Sequence, residues 1–225
     1  MHFTVPRLPE SALRLYLVFG PQDLAADQNA LDLLEQAVAG GVTCVQWRDK
    51  SKTADAPLPV RREAVQRLHQ RAKALNVPFL INDDVELARA LNADGVHLGQ
   101  DDMDPLEARQ YLGSDAIIGW SVGTAQERAR LDKLTMSNNT VVDYIGVGPA
   151  FPTGTKSDAG TALGAAGIAA IIDGVSLPAV AIGGINEKNC NLLKTTEVVG
   201  FAVVSAITSQ SDPKHAARQL LKAIN

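Results

Sequence analysis

The sequence predicts a single-domain α/β protein of the (β/α)8 TIM-barrel class. Three observations predict it. Eight short apolar runs each precede a stretch with helical character, and eight such units is the count for this fold. The apolar runs are continuous rather than alternating, as strands of a parallel sheet are when both faces are buried. Polar residues gather just after successive runs, on the side where a barrel carries its functional rim. An open doubly wound sheet is the competing architecture. It rarely needs eight regular units, and the dinucleotide glycine fingerprint is missing after the first strand.

The elements follow in order. Residues 1–13 read as an N-terminal extension of one domain spanning 1–225. Arg14–Phe19 is the first strand. Ala30–Ala39 places Leu31, Leu34 and Val38 at helical spacing, and Gly40-Gly41 stops it. Cys44–Trp47 is the second strand. The stretch from Asp55 to Pro59 reads as a loop, and Val60–Leu75 as a charged helix with Ala64, Leu68, Ala72 and Leu75 on one face. Phe79–Ile81 is the third strand and Val85–Leu91 its helix. Gly95–Leu98 is the fourth, followed by Pro105–Leu112 with proline in the first turn. Ile117–Trp120 leads to the helix Thr124–Leu134, and Asn138-Asn139-Thr140 marks a loop. Val142–Val147 is the sixth strand, with the helix Ala165–Ile172 after a long loop. Ala179–Ile182 precedes a helix at Asn186–Lys194, with Asn186 as N-cap. Phe201–Val204 is the eighth strand, and Asp212–Ala223 closes the chain.

The chain has 225 residues, 46% hydrophobic and 20% charged, enough for one sizeable core. A formal net charge of −4 argues against binding nucleic acid or a membrane surface through bulk charge. Cys44 and Cys190 stand far apart, outside any zinc or Cys-x-x-Cys spacing, and read as buried residues. No apolar run reaches the length of a membrane span. The N-terminus lacks the clean apolar run of a secretory signal, so the expected compartment is the cytoplasm. Homo-oligomerisation stays open.

The polar residues after the strands sort by chemistry. Arg48, Lys50 and Lys156 are cations suited to phosphate oxygens. Asp83 and Asp102, on neighbouring strand ends, are hard oxygen ligands of the kind that suit Mg²⁺ shared with substrate phosphates. Gly183-Gly184 after strand seven and Ser205 after strand eight match the position of the barrel's frequent phosphate site. Together they suggest a diphosphate on one side, a monophosphate on the other and a transfer reaction between them. Read singly, each has an ordinary role too. Arg48 and Lys50 suit a solvated loop, Asp83-Asp84 and Asp101-Asp102 suit helix caps, and Gly183-Gly184 suits a tight turn. His97 reads as a packed or supporting histidine, and Trp47 and Trp120 as packing residues.

Six segments in order, "VQWRDK", "INDDVELA", "GVHLGQDD", "GPAFPTGTK", "AIGGI" and "VVSAI", closely resemble the thiamine-phosphate synthase family. The similarity runs from about Tyr16 to the C-terminus. The resemblance implies an enzyme joining 4-amino-5-hydroxymethyl-2-methylpyrimidine diphosphate to 4-methyl-5-(2-phosphoethyl)thiazole, with Mg²⁺ required. It implies that Gln46, Arg48, Lys50 and Asn82 contact the pyrimidine diphosphate and that Asp83 and Asp102 bind Mg²⁺. Ser121 and Lys156 would also hold the diphosphate, and Arg48, Ser121 and Lys156 are the implied catalytic set. Thr153 and Thr155 would line the thiazole side, where Gly184, Val204 and Ser205 grip the phosphate. The implied mechanism is dissociative: diphosphate leaves, and the thiazole nitrogen attacks the resulting pyrimidine methylene cation. A thiazole tautomerase of the same superfamily, a non-catalytic binder of thiamine precursors and a different phosphate-handling barrel enzyme are the alternatives. Many relatives carry Ser-x-His-Thr where this chain has Ser121-Val-Gly123-Thr124. Trp47 stands where a smaller aliphatic residue is expected, and Lys52–Pro59 looks extended.

Overall fold

The structure, a computed structural model, describes residues 7–137, 141–154 and 160–225. Eight parallel strands close into a barrel in chain order, with the eighth hydrogen-bonded to the first. They are β1 Leu15–Phe19, β2 Cys44–Trp47, β3 Phe79–Asn82, β4 Gly95–Leu98, β5 Ile117–Ser121, β6 Tyr144–Val147, β7 Ala179–Ile182 and β8 Gly200–Val203. The helices are α1 Ala30–Gly40, α2 Leu58–Ala74, α3 Val85–Leu91, α4 Pro105–Leu112, α5 Ala125–Ser137, α6 Gly164–Ile172, α7 Ser205–Thr208 and α8 Pro213–Ile224.

Strand residues divide between two apolar clusters, as the two-residue period of a strand requires. Leu15, Leu17 and Phe19 of β1 join the layer between barrel and helices. Tyr16 and Val18 face the interior with Cys44, Leu80, Tyr144, Val180 and Ala202. Burial on both faces explains why every strand reads as a continuous apolar run. Residues ahead of β1 belong to this packing. Leu8 and Leu13 are buried in the interior cluster, and Glu10–Leu13 forms a 3₁₀ turn.

Four local expectations change. α2 starts at Leu58, inside the stretch read as a loop, because Pro59 fits the first helical turn, where no amide is needed. Its buried face is Val65, Leu68, His69 and Ala72, while Ala64 is exposed. α1 buries Leu33, Leu34 and Ala37 where it meets α2 and α8, so Leu31 and Val38 only flank the stripe. The helix expected at Asn186–Lys194 is reduced to a 3₁₀ turn at Cys190–Leu193. Asparagine side chains there bind the backbone instead: Asn186 Oδ1 accepts from Lys188 N at 2.9 Å, and Asn189 Oδ1 from Asn186 N at 2.8 Å. Such local bonds compete with helix formation. The loop at 138–140 lies outside the described residues.

A buried ionic brace ties the barrel's N-terminal end. Asp143, just before β6, accepts from Arg109 Nη2 and Arg7 Nη1, each at 2.7 Å, and from Ile118 N at 2.8 Å. Arg109 also donates to the carbonyls of Ala116 and Val141. Its side chain is 11% exposed and that of Asp143 is 9% exposed. Removing Arg109 would leave Asp143 with Arg7 as its single cation and take a donor from the Ala116 and Val141 carbonyls. Arg109→Ala is expected to lower stability by about 3 kcal/mol, read as a reduced urea midpoint at unchanged slope.

Candidate active site

The polar groups after β2 to β5 meet around one mouth of the barrel. A sequence-silent residue, Gln22, shapes the first part. From the β1–α1 loop it donates to Arg48 O at 2.8 Å and accepts from Lys50 N at 3.0 Å, clamping the segment that carries both cations. No local pattern in the sequence marks Gln22, because its partners lie more than twenty residues away. Lys50 Nζ reaches Asp83 Oδ2 at 2.7 Å.

Helix capping falls to residues other than Asp83 and Asp102. Asp84 caps α3, accepting from Leu87 N at 2.9 Å, and Asp104 caps α4, accepting from Leu106 N at 2.8 Å. Asp83 therefore turns to the rim. Its backbone takes a left-handed conformation, φ 61°, held by a bond from its N–H to His97 O at 2.9 Å. A non-glycine residue there costs on the order of 1 kcal/mol. Asp102 accepts from Gly99 N at 2.6 Å.

The two rim carboxyls are close enough to shift each other's protonation. Burial, together with the neighbouring Asp83, raises the Asp102 carboxyl to about 6. Burial pulls Asp83 the same way, but the neighbouring Asp102 and Lys50 outweigh it and hold Asp83 below the usual range. Two neighbouring carboxyls oppose each other's ionisation, and the Lys50 ammonium offsets only one of the two charges. Among the described residues, no group of three or more His, Cys, Asp or Glu side chains could hold a metal. Two carboxylates alone suit Mg²⁺, which keeps waters and takes its remaining oxygens from a ligand; they do not suit an ion needing an all-protein cage. The donor set fits.

Inside the mouth, Gln46, Asn82, His97 and Ser121 line the cavity wall with Arg48 at its edge. His97 Nε2 lies 2.9 Å from Ser121 Oγ, so the histidine supports a rim residue, as its position within a strand suggested. Trp47 packs edge-on against Phe19, ring centres 5.4 Å apart, and Trp120 Nε1 donates to Gly99 O at 3.2 Å. Both are packing residues. Cys44 and Cys190 are buried free thiols, each pushed up by burial.

The strands β6 to β8 supply the other wall. Gly183 and Gly184 have φ 101° and 64°, conformations that favour glycine. The β6–α6 loop lies directly on them: Ala150 N donates to Ile182 O at 2.8 Å and Phe151 N to Gly183 O at 2.9 Å. A Cβ at Gly183 would stand 2.7 Å from Pro149 Cα. Val204 and Ser205 follow β8, and Ser205 opens the short α7, an element absent from the sequence reading because four residues carry no period. Thr153, Gly184, Val204 and Ser205 all face the same cavity, whose volume is about 650 Å³. Thr155 and Lys156 lie outside the described residues. A second cavity of about 520 Å³ opens near Arg14 and Lys194, away from this rim.

Gly123 has a packing explanation. A Cβ there would stand 2.6 Å from Gly148 O, so β6 closes on this turn too tightly for a histidine. Thr124 and Glu127 form a capping box for α5, and Glu127 also accepts from Gly123 N at 2.5 Å.

A closed parallel barrel with cations, paired carboxyls and a glycine-lined turn around one mouth defines a (β/α)8-barrel enzyme. A family model described as thiamine monophosphate synthase matches residues 15–207, and the chain belongs to that family. The thiamine-phosphate synthase of Azorhizobium caulinodans is 44% identical over 208 residues, 92% of this chain and 93% of the relative. That of Haloquadratum walsbyi is 40% identical over 222 residues, 96% and 92% of the two chains. Among solved structures, thiamine phosphate pyrophosphorylase from Pyrococcus furiosus superposes with a TM-score of 0.81 at 32% identity, covering 96% of each chain.

Proposed function

We propose that the protein is a thiamine-phosphate synthase. It joins 4-amino-5-hydroxymethyl-2-methylpyrimidine diphosphate to 4-methyl-5-(2-phosphoethyl)thiazole, giving thiamine phosphate and diphosphate. The observation that carries this reading is the division of one cavity. Strands β2 and β5 bring Arg48 and Ser121 to one side, with Lys50, Asp83 and Asp102 on the adjoining rim, and β6 to β8 bring Thr153, Gly184, Val204 and Ser205 to the other. Mg²⁺, held by Asp83 and Asp102, would neutralise charge on the departing diphosphate. Arg48, Lys50, Lys156 and the Ser121 hydroxyl bind and orient the same oxygens. Gln46 and Asn82 hold the pyrimidine end, and Thr153 and Thr155 line the thiazole side. Backbone groups at Gly184, Val204 and Ser205 receive its phosphate.

Ser121 Oγ lies 2.9 Å from His97 Nε2, but a reaction in which diphosphate leaves before the thiazole nitrogen attacks needs no nucleophile from the protein. The residues then contribute electrostatic stabilisation and alignment. Arg48 and Ser121, with Lys156, are the catalytic candidates because they touch the leaving group in this reading. The substrates are small molecules, and the cytoplasm is the proposed compartment. Among the described residues, no helix is long and apolar enough to cross a membrane.

Purified protein with both substrates and Mg²⁺ is expected to release thiamine phosphate and diphosphate in equal amounts. Absence of product when both substrates bind would overturn the reading and leave a tautomerase or a binding protein. Lys156→Ala is expected to lower kcat about a hundredfold, the scale of losing one leaving-group contact, with a smaller change in KM. Unchanged kcat in the folded variant would remove Lys156 from the catalytic set.

A further inference from the structure

A chain of hydrogen bonds crosses the interior of the barrel and joins two residues of the proposed site. Gln46 Nε2 donates to Tyr16 Oη at 2.8 Å. Tyr16 Oη and Tyr144 Oη are 2.9 Å apart. Tyr144 Oη lies 2.9 Å from His97 Nδ1, and His97 Nε2 lies 2.9 Å from Ser121 Oγ. The participants come from β2, β1, β6, β4 and β5, so the chain spans strands that are not neighbours. Both tyrosines are buried, and burial first of all holds their hydroxyls protonated.

The barrel is cut to admit this chain. Gly119 faces the interior, and a Cβ there would overlap the Tyr144 ring and stand 2.5 Å from His97 Nδ1. At Gly146 a Cβ would stand 3.0 Å from His97 Cε1. Two strands thus give up interior side chains where the tyrosine and the histidine meet.

Each link has one hydrogen to give, so the direction set at one end passes to the other. Tyr16 accepts from Gln46 and must place its own hydrogen onward. Its choices are Tyr144 Oη and the Cys44 thiol, and sulfur is the weaker acceptor. Tyr144 then donates to His97 Nδ1. A neutral imidazole that accepts at Nδ1 carries its hydrogen on Nε2 and donates to Ser121 Oγ. The Ser121 hydrogen is thereby directed away from His97, available to an anion. The reverse direction needs the Gln46 amide turned over. It commits the Ser121 hydrogen to His97 and leaves only lone pairs for an anion.

We propose that Tyr16, Tyr144 and His97 are positioning residues that couple the two ends of the pyrimidine-diphosphate site: an anion at Ser121 selects the direction that presents the Gln46 carbonyl oxygen to the cavity. A ligand with a diphosphate at one end and a hydrogen-bond donor on its ring satisfies both ends in one state. A ligand with a ring acceptor in that place opposes the chain. This inference rests on the proposed function for the placement of the diphosphate at Ser121.

The test uses the full chain, inorganic diphosphate with Mg²⁺ as the probe, and ¹⁵N NMR of the histidine rings. The His97 signal is assigned by its loss in His97→Asn. With diphosphate bound, His97 is expected to be protonated on Nε2, with Nδ1 as acceptor. The opposite tautomer would overturn the proposal, and this wild-type measurement needs no variant to fold. Tyr144→Phe and Tyr16→Phe, each checked for folding by circular dichroism, are expected to weaken diphosphate binding about tenfold, the scale of one lost hydrogen bond. They should also mix the two tautomers. An effect in Tyr144→Phe with none in Tyr16→Phe would overturn the coupling, since Tyr16 is two links from the histidine and touches Gln46. None of these readouts requires turnover. A protein that shows the tautomer but makes no thiamine phosphate would sink the synthase reading alone.

Discussion

Asp83→Asn is expected to weaken Mg²⁺ binding more than about a hundredfold, beyond what is seen when only supporting groups around a metal are lost. The substitution keeps size and removes the charge that Asp102 and Lys50 now share. Calorimetric Mg²⁺ titration in the presence of diphosphate measures it without turnover. Wild-type affinity should also rise with pH through about 6, because the proton on Asp102 must leave before both carboxylates face a cation. The sign for stability without metal is opposite. Asp102 is raised from its ordinary 3.8 to about 6, so the folded chain retains a proton that the unfolded chain gives up. Its contribution favours the fold below that ordinary value and is lost as pH rises through about 6. Asp83, held below its ordinary value, contributes in the other sense, losing stability as pH falls through its lowered range. Affinity that is flat from pH 5 to 7, or unchanged in Asp83→Asn, would remove these carboxyls from the metal site.

Gly119→Ala is expected to cost about 3 kcal/mol, at the upper end for overpacking. The added carbon would fall on the Tyr144 ring and against His97, both fixed by the interior hydrogen bonds, so neither can step aside without breaking one. Gly146→Ala should cost less, since its Cβ meets only the edge of His97 at 3.0 Å. Gly154→Ala, with no atom of the described residues within 4 Å, should stay within roughly 0.5 kcal/mol of the parent. Urea midpoints of the three variants give the ranking. A Gly119→Ala protein as stable as Gly154→Ala would mean that the interior can repack around the methyl.

Much of the site was legible because barrel topology converts sequence position into location. Asp83, Asp102, Ser121, Gly184 and Ser205 each follow an apolar run, and each lies at the same end of the closed sheet. Asp83 and Asp102 were legible as rim candidates from their place after the strands; what stayed open was whether they cap helices instead, and Asp84 and Asp104 take that role. The helix expected after β7 failed for a local reason, the competition of Asn186 and Asn189 for backbone groups that a helix would need.

The sequence by itself determined the barrel, the order of its elements and the family, because strand burial and rim chemistry both leave a periodic trace along the chain. Only the tertiary structure decided the clamp from Gln22, the fit of Gly123 against Gly148 and the chain from Gln46 to Ser121. These depend on distance across a closed sheet. Tyr16 and Tyr144 are 128 positions apart, yet their hydroxyls meet at 2.9 Å because closing β8 onto β1 turns alternate residues of every strand toward one axis. A period along the chain can say that a tyrosine faces inward, but only the closed barrel sets which group it meets there.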